Sequence, residues 1–425
     1  MIESMKHNLL FPIVCVLLGH FVHAAEATHE AQAILDLHEN RGGFAVYLGE
    51  DNGDTVLELG KCNNYSVHGL LHSSETVEQT RQRLTKAGLY GRCHVEHFSG
   101  GELPYIANLV SLLVCENPGI VAPDEVRRVL APGGLALLRG EAGWNTLRKP
   151  INPETDEWPQ HFYDAGNNPV SHDAVVAPPR HLQWRGSPRW GRFHEKMSSF
   201  AAMVSTGGRV FYIMDHGSPS SLFFPSRWKL VARDAYNGVV LWSKPIDEWV
   251  TRFYRYKAGP ATVPRRLVAT DDFVYVTLGI KAPLSKLCAR SGRVLETYPG
   301  TECTDEIVLA GETLLIVLRP GLDVPTNKDN LSLKDGRRFG WQDFQPAKLV
   351  ALDPASGRRL WELDSPIAPL CLAADQKSVY VCDWKNLRCL DRTTGKQKWA
   401  SDELKMPNSY PSGNGPRLTV REGVV

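Results

Sequence analysis

Two hydrophobic rhythms divide the chain. Between residues 31 and 140, continuous apolar runs alternate with one clear helical pattern. "GGFAVYLGE" (42 to 50), "YSVHGLL" (65 to 71) and "NLVSLLVCEN" (108 to 117) read as strands buried on both faces. "SSETVEQTRQRLTKAGL" (73 to 89) spaces its apolar residues as one face of a helix, with a Ser to cap it. "PDEVRRVLAPGGLALL" (123 to 138) predicts helix, Pro-Gly-Gly turn and strand. Alternating strands and helices imply a parallel sheet covered by helices.

Beyond residue 200 the rhythm shortens. The runs "GRVFYIMD" (208 to 215), "DDFVYVTLG" (271 to 279), "GETLLIVL" (311 to 318) and "KSVYVCDW" (377 to 384) are strand-length, and each is followed by a repeated hairpin pattern. "LVARDAYNGVVLW" (230 to 242) carries Ala232, Asp234, Gly238 and Trp242, and "VALDPASGRRLW" (350 to 361) repeats these offsets with Ala351, Asp353, Gly357 and Trp361. "CLDRTTGKQKW" keeps Asp391, Gly395 and Trp399 with Cys389 for the Ala; "KLCARSGRVLETY" (286 to 298) keeps only Gly292, with Lys286, Cys288 and Glu296 elsewhere. Asp closes the turn on its own backbone, and Gly supplies the positive φ. The Trp on the returning strand is placed to dock one sheet on the next.

Four short strands per unit make a β-propeller blade. The units resemble the pyrroloquinoline quinone (PQQ) type repeat of quinoprotein-like propellers, whose blades end in an Ala-x-Asp-x-x-x-Gly-x-x-x-Trp docking motif, and the resemblance covers roughly 155 to 425. The glycines are 54, 65 and 38 residues apart, and "RLTVREGVV" (417 to 425) reads as the opening strand of a fifth unit. An open, partial propeller is expected. PQQ enzymes of this fold carry a vicinal Cys-Cys, a calcium ion and an Asp base at the axis of a closed ring. This sequence has no Cys-Cys and about half the blades, so PQQ chemistry is not expected.

The earlier segment resembles the class I S-adenosylmethionine (SAM) methyltransferase fold, on the order of its elements and on "EVRRVLAPGGLALL". The resemblance implies a cofactor loop of the form acid-x-Gly-x-Gly-x-Gly after the first strand. Here the candidate loop residues are Gly49, Glu50, Asp51 and Gly53; Tyr47 replaces the acid and Asp51 the second Gly. Leu71 and His72 stand where an acid would hold the ribose, with Glu75 a solvated substitute; "HFSGG" (97 to 101) lacks the acid expected near the adenine. Asn108 replaces an acid at the fourth strand, and Asn117-Pro118 matches the Asn-Pro of some amino-group methyltransferases over only two residues. A fold that has kept its architecture and lost its cofactor is the expectation. SAM is a cytoplasmic donor, which points the same way.

The export expectation comes from Lys6 and His7, the apolar run "LLFPIVCVLLG" (9 to 19) and the small residues before a cleavage point at Ala24 or Ala25. The run is too short for a membrane span. Cys15 leaves with the signal, and eight cysteines remain without a CxxC pair; free thiols are favoured, with a bridge among Cys371, Cys382 and Cys389 permitted by export. A net charge of +1 without charged blocks excludes nucleic acid and anionic membrane as evident partners.

The domains read as a signal (1 to 25), a Rossmann-like methyltransferase-type domain (31 to 140), a linker and propeller entry (141 to 195) and PQQ-like repeats (196 to 425). In the linker, His161, Asp164, His172, Asp173 and His194 have no metal-ligand spacing, and no metal site is expected. Trp184, Trp190, Arg185, Arg189 and Arg192 could stack on a ligand, but packing of the first blade against the Rossmann-like domain explains the tryptophans more simply. Taken together, the sequence predicts an exported, periplasmic or extracellular binding or scaffold protein, with an unknown protein or small-molecule partner at the propeller and no cofactor. The alternatives are an active SAM-dependent methyltransferase and a PQQ-dependent dehydrogenase.

Overall fold

The computed structural model describes residues 28–39, 41–49, 53–179, 182–189, 191–192, 199–220, 224–249, 262–320, 346–383, 385–405 and 416–425. The expected signal (1 to 25), Glu50, Asp51, Trp190 and His194 lie outside them. The chain forms two compact units: 1–152 with 179–185 and 234–241, and 153–178 with 186–233 and 242–425. No described helix is long and apolar enough to cross a membrane.

The first unit holds a six-stranded sheet in the order β3-β2-β1-β4-β5-β6. Its strands are β1 (Gly43–Gly49), β2 (Tyr65–Leu71), β3 (Cys93–His97), β4 (Val110–Cys115), β5 (Leu130–Gly140) and β6 (Gly143–Arg148). The first five run parallel, and β6 returns antiparallel to β5. The order reverses between β1 and β4, the switch point of a doubly wound sheet. Helices α1 (28–37), α2 (Asp54–Gly60) and α3 (Ser74–Lys86) pack Ile34, Leu59, Val77 and Leu84 against Tyr47, Val67 and Val114 on one face. On the other face α4 (Pro123–Val129) brings Val126 and Val129 against Val46, Leu48 and Leu113.

Local chemistry sets these boundaries. Ser73 caps α3 by accepting from the Thr76 amide at 3.4 Å. The Pro-Gly-Gly segment does not separate α4 from a later strand: α4 runs straight into β5, and 131–134 bulge opposite Ser111, because Val110 pairs with Leu130 but Leu112 with Leu135.

Among the described residues, the second fold region is built from four four-stranded sheets. They comprise β7 (Phe200–Thr206), β8 (Arg209–Asp215), β9 (Trp228–Asp234) and β10 (Val240–Pro245); β11 (Leu267–Ala269), β12 (Phe273–Thr277), β13 (Leu284–Cys288) and β14 (Val294–Thr297); β15 (Thr304–Ala310), β16 (Thr313–Leu318), β17 (Lys348–Leu352) and β18 (Arg359–Asp364); and β19 (Leu372–Ala374), β20 (Ser378–Cys382), β21 (Leu387–Asp391) and β22 (Gln397–Ala400). Strand order follows chain order within each sheet, and the first strands β7, β11, β15 and β19 neighbour one another in turn. This is a partial β-propeller with those strands innermost.

The repeated motif works as a lock between successive sheets. Gly238, Gly292, Gly357 and Gly395 have φ of 72°, 66°, 67° and 69°, the left-handed region that favours glycine. The carboxylates of Asp234, Asp353 and Asp391 accept amides inside their own turns, such as Tyr236, Ala355 and Thr393. An aromatic ring from the preceding segment lies on each glycine: Trp184 on Gly238, Trp242 on Gly292, Tyr298 on Gly357 and Trp361 on Gly395. Each donates to the carbonyl three residues before that glycine: Trp184 to Ala235 (2.8 Å), Trp242 to Ala289 (2.9 Å), Tyr298 to Pro354 (3.2 Å) and Trp361 to Arg392 (2.8 Å). Trp184 thus performs the motif's docking role ahead of the first recognisable copy. Trp399 is 43% exposed.

One expectation needs correcting: 417–425 is not a strand. Apart from a bridge between Arg421 and Val424, it is irregular, and its backbone bonds to Leu370, Gly166 and Asn167. A strand needs a continuous ladder, and these partners are single groups on separate segments.

Candidate functional site

Two places in the fold are natural ligand sites, the loop after β1 and the inner ends of the blades. Gly49 closes β1 and points to the same side as Tyr47, two residues earlier. Tyr47 is fully buried, and a Cβ added at Gly49 would overlap its hydroxyl and the Glu116 carboxylate. The space that a glycine opens in a SAM loop is filled here by the chain's own side chains. Gly53 caps α2 with φ of 77°, and a Cβ there would overlap Thr80. Helix packing therefore accounts for this glycine.

At the far end of β2 the side chains make contacts within the chain. Leu71 is buried, and His72 Nδ1 lies 3.3 Å from the Phe98 carbonyl oxygen. Glu75 is exposed and accepts from Gln79 at 3.2 Å. Asn108 accepts from the Lys149 ammonium at 2.7 Å.

At the blades, the lead-in 158–168 crosses the ends of all four inner strands. Trp158 and Ser205 of β7 exchange backbone hydrogen bonds at 3.1 and 2.8 Å. The Ala269 amide of β11 donates to Pro159 at 2.9 Å. The Gln160 amide group donates to the Leu309 carbonyl of β15 at 3.2 Å and accepts from its N–H at 3.1 Å. Ala374 of β19 donates to Ala165 at 2.7 Å, and Asn167 donates to Leu372 at 2.8 Å. One short segment thus supplies partners to the inner strand of each described blade.

Beside this segment lies a buried charge network that the sequence reading missed. Arg266 and Arg319 both reach Asp305 at 2.8 Å, and Arg265 and Arg319 meet Glu306 at 3.2 and 3.4 Å. Arg265 also donates to Asn167 at 2.9 Å, tying the network to the crossing segment. Burial opposes ionisation of Asp305, but Arg266 and Arg319 hold its pKa below the usual carboxylate range. Burial pushes Glu306 up against the pull of Arg265 and Arg319. The acids adjoin in sequence, but their partners come from a 3-10 turn (Val263–Arg266) and the end of β16, so no local spacing signals them.

Asp164 and Asp173 accept backbone amides of Gly166, Val175 and Val176, and His172 pairs with the Tyr163 hydroxyl at 2.6 Å. Arg192 is buried against Asp215 at 3.0 Å. Among the described residues eight cysteines form no disulfide; Cys371 immediately precedes β19, and Cys382 ends the neighbouring β20. Among the described residues one group brings three ligand-type side chains together: His68, His94 and Glu96.

Residues 346–424 match the family described as outer membrane protein assembly factor BamB, a PQQ-type repeat. The sequence of 346–424 is thus similar to PQQ-type repeats. The structure of BamB from Moraxella catarrhalis is 16% identical, with 48% of this chain and 51% of that chain covered at a TM-score of 0.29. For the N-terminal region, a Methanococcus maripaludis protein assigned as a SAM-dependent methyltransferase is 21% identical over 27% of this chain and 54% of that one, TM-score 0.24. Geranyl diphosphate C-methyltransferase from Streptomyces coelicolor is 17% identical over 26% and 44%, also at 0.24. The chain thus spans about half the length of these structures. No curated protein matches the sequence. The sheet order and the repeated blades place a methyltransferase-like α/β domain before a partial PQQ-like propeller.

Proposed function

We propose that this is an exported protein that binds or scaffolds a protein partner through its PQQ-like propeller, with a methyltransferase-like domain that does not use SAM. The observation that carries the reading is the course of 158–168. A cofactor at the blade axis would have to displace hydrogen bonds to all four inner strands, and buried backbone groups left unpaired cost about 1–3 kcal/mol each. The filling of the Gly49 site by Tyr47 and Glu116 supports the second half of the reading. Export is supported by the apolar run and small residues before Ala25. The description of the family matched by 346–424, an outer membrane assembly factor, favours a protein partner over a small molecule.

Isothermal titration of the full chain with SAM, and separately with PQQ and Ca²⁺, tests the reading. No saturable heat is expected with either. One-to-one binding of SAM in the micromolar range, weakened by Gly49→Trp, would return the first domain to the active methyltransferases; PQQ binding with quinone absorbance would return the propeller to the dehydrogenases.

A further inference from the structure

We propose that His68, His94 and Glu96 form a three-ligand site for a divalent transition-metal ion of the Zn²⁺ class on the first domain. Parallel pairing of β2 with β3 sets His68 directly beside His94. Glu96 is two residues further along β3 and so projects from the same face as His94. That face carries no helix contribution from the segment joining β3 to β4; Tyr105 of this loop packs there edge-on to Phe44, with ring centres 5.5 Å apart.

The donor atoms converge. One ligand atom from each residue lies within 4.8 Å of the others. Glu96 reaches His94 Nε2 at 3.2 Å and His68 Nε2 at 3.8 Å through its two oxygens. The imidazole rings of His68 and His94 are 5.5 Å apart. His68 Nε2 is buried without a hydrogen-bond partner. Its other nitrogen, Nδ1, lies 2.7 Å from the Tyr105 hydroxyl. With Nδ1–H donating to that oxygen, Nε2 keeps a free lone pair aimed at the carboxylate, the tautomer a metal requires.

Two imidazoles and a carboxylate suit Zn²⁺, which binds nitrogen at about 2.0–2.1 Å and keeps a fourth, open position when the protein supplies three ligands. Mg²⁺ and Ca²⁺ prefer all-oxygen sets and are not expected to compete. Side-chain exposures of 40% for His94 and 50% for Glu96 leave the site open to solvent on one side.

The test uses the full chain, untagged and stripped with chelator. Titration with ZnCl₂ should give one site of micromolar affinity or tighter, and CoCl₂ should give the visible absorption of a low-coordinate cobalt site with nitrogen ligands. His94→Ala, at a half-buried position, and Glu96→Gln, at an exposed one, should weaken Zn²⁺ binding at least tenfold with far-ultraviolet circular dichroism unchanged. Tyr105→Phe, which removes only the orienting hydroxyl, should cost ~10-fold, as loss of an outer hydrogen bond to a metal-bound His does. Absence of saturable Zn²⁺ binding overturns the proposal. So does binding that His94→Ala and Glu96→Gln leave unchanged.

Discussion

The aromatic rings on Gly238, Gly292, Gly357 and Gly395 make each glycine necessary twice, once for its positive φ and once because a Cβ would overlap the ring. Removing such a ring leaves a cavity between two sheets. Trp242→Ala and Trp361→Ala should each cost about 3 kcal/mol in urea denaturation; Trp399→Ala, at a half-exposed ring, should stay within ~1 kcal/mol. The Trp positions were legible in the sequence because their offset from Gly repeats. Tyr298 was not: Glu296 occupies the expected offset, and Tyr298, two residues on and so on the same side of the strand, takes over the docking. A second residue-scale expectation concerns His38, buried with its Nδ1 2.7 Å from the Tyr65 hydroxyl. Burial, with Arg41 and Arg148 nearby, lowers its pKa to about 4. The unfolded chain then binds more protons than the folded one between that value and ~6.5, so the His38 contribution is complete above ~6.5 and is lost as pH falls toward 4. His38→Gln should flatten the fall in melting temperature between pH 7 and 4.5 relative to wild type.

At the scale of elements, pattern and structure agree where burial is regular along the chain. Helix α3 and strands β1, β2, β4, β8, β12, β16 and β20 lie within the segments whose periodicity predicts them. The bulge 131–134, the irregular course of 417–425 and the crossing segment 158–168 were not legible. Their conformations are set by hydrogen bonds to residues distant in sequence: Gln160 to Leu309, Ala165 to Ala374, Gly166 to Val420. The buried network has the same origin. Arg319→Met should cost ~3–5 kcal/mol, since it leaves Asp305 and Glu306 short of a buried partner. Arg359→Met, which removes the exposed pair with Glu362, should cost under ~1 kcal/mol by the same denaturation assay.

For the whole molecule, the order of fold types was legible because the two hydrophobic rhythms differ in length and turn chemistry. The candidate sites were legible only in part. Tyr47 and Leu71 signalled a SAM pocket altered in residue type, but its filling by Tyr47 and Glu116 depends on how β1 and β4 pair. His68, His94 and Glu96 escaped notice because only strand register unites them. The hold that 158–168 has on the four inner strands joins the described blades to one another. Hydrogen–deuterium exchange of the full chain measures that hold directly, through the amides of Trp158, Ser205, Ala269, Leu309 and Ala374 that the crossing segment pairs. These amides should exchange as slowly as the central strands β12 and β16, with no change on addition of PQQ and Ca²⁺. Exchange within seconds across 158–168, or new protection there when PQQ is added, would mean that the blade axis opens to a ligand and would contradict the scaffold reading.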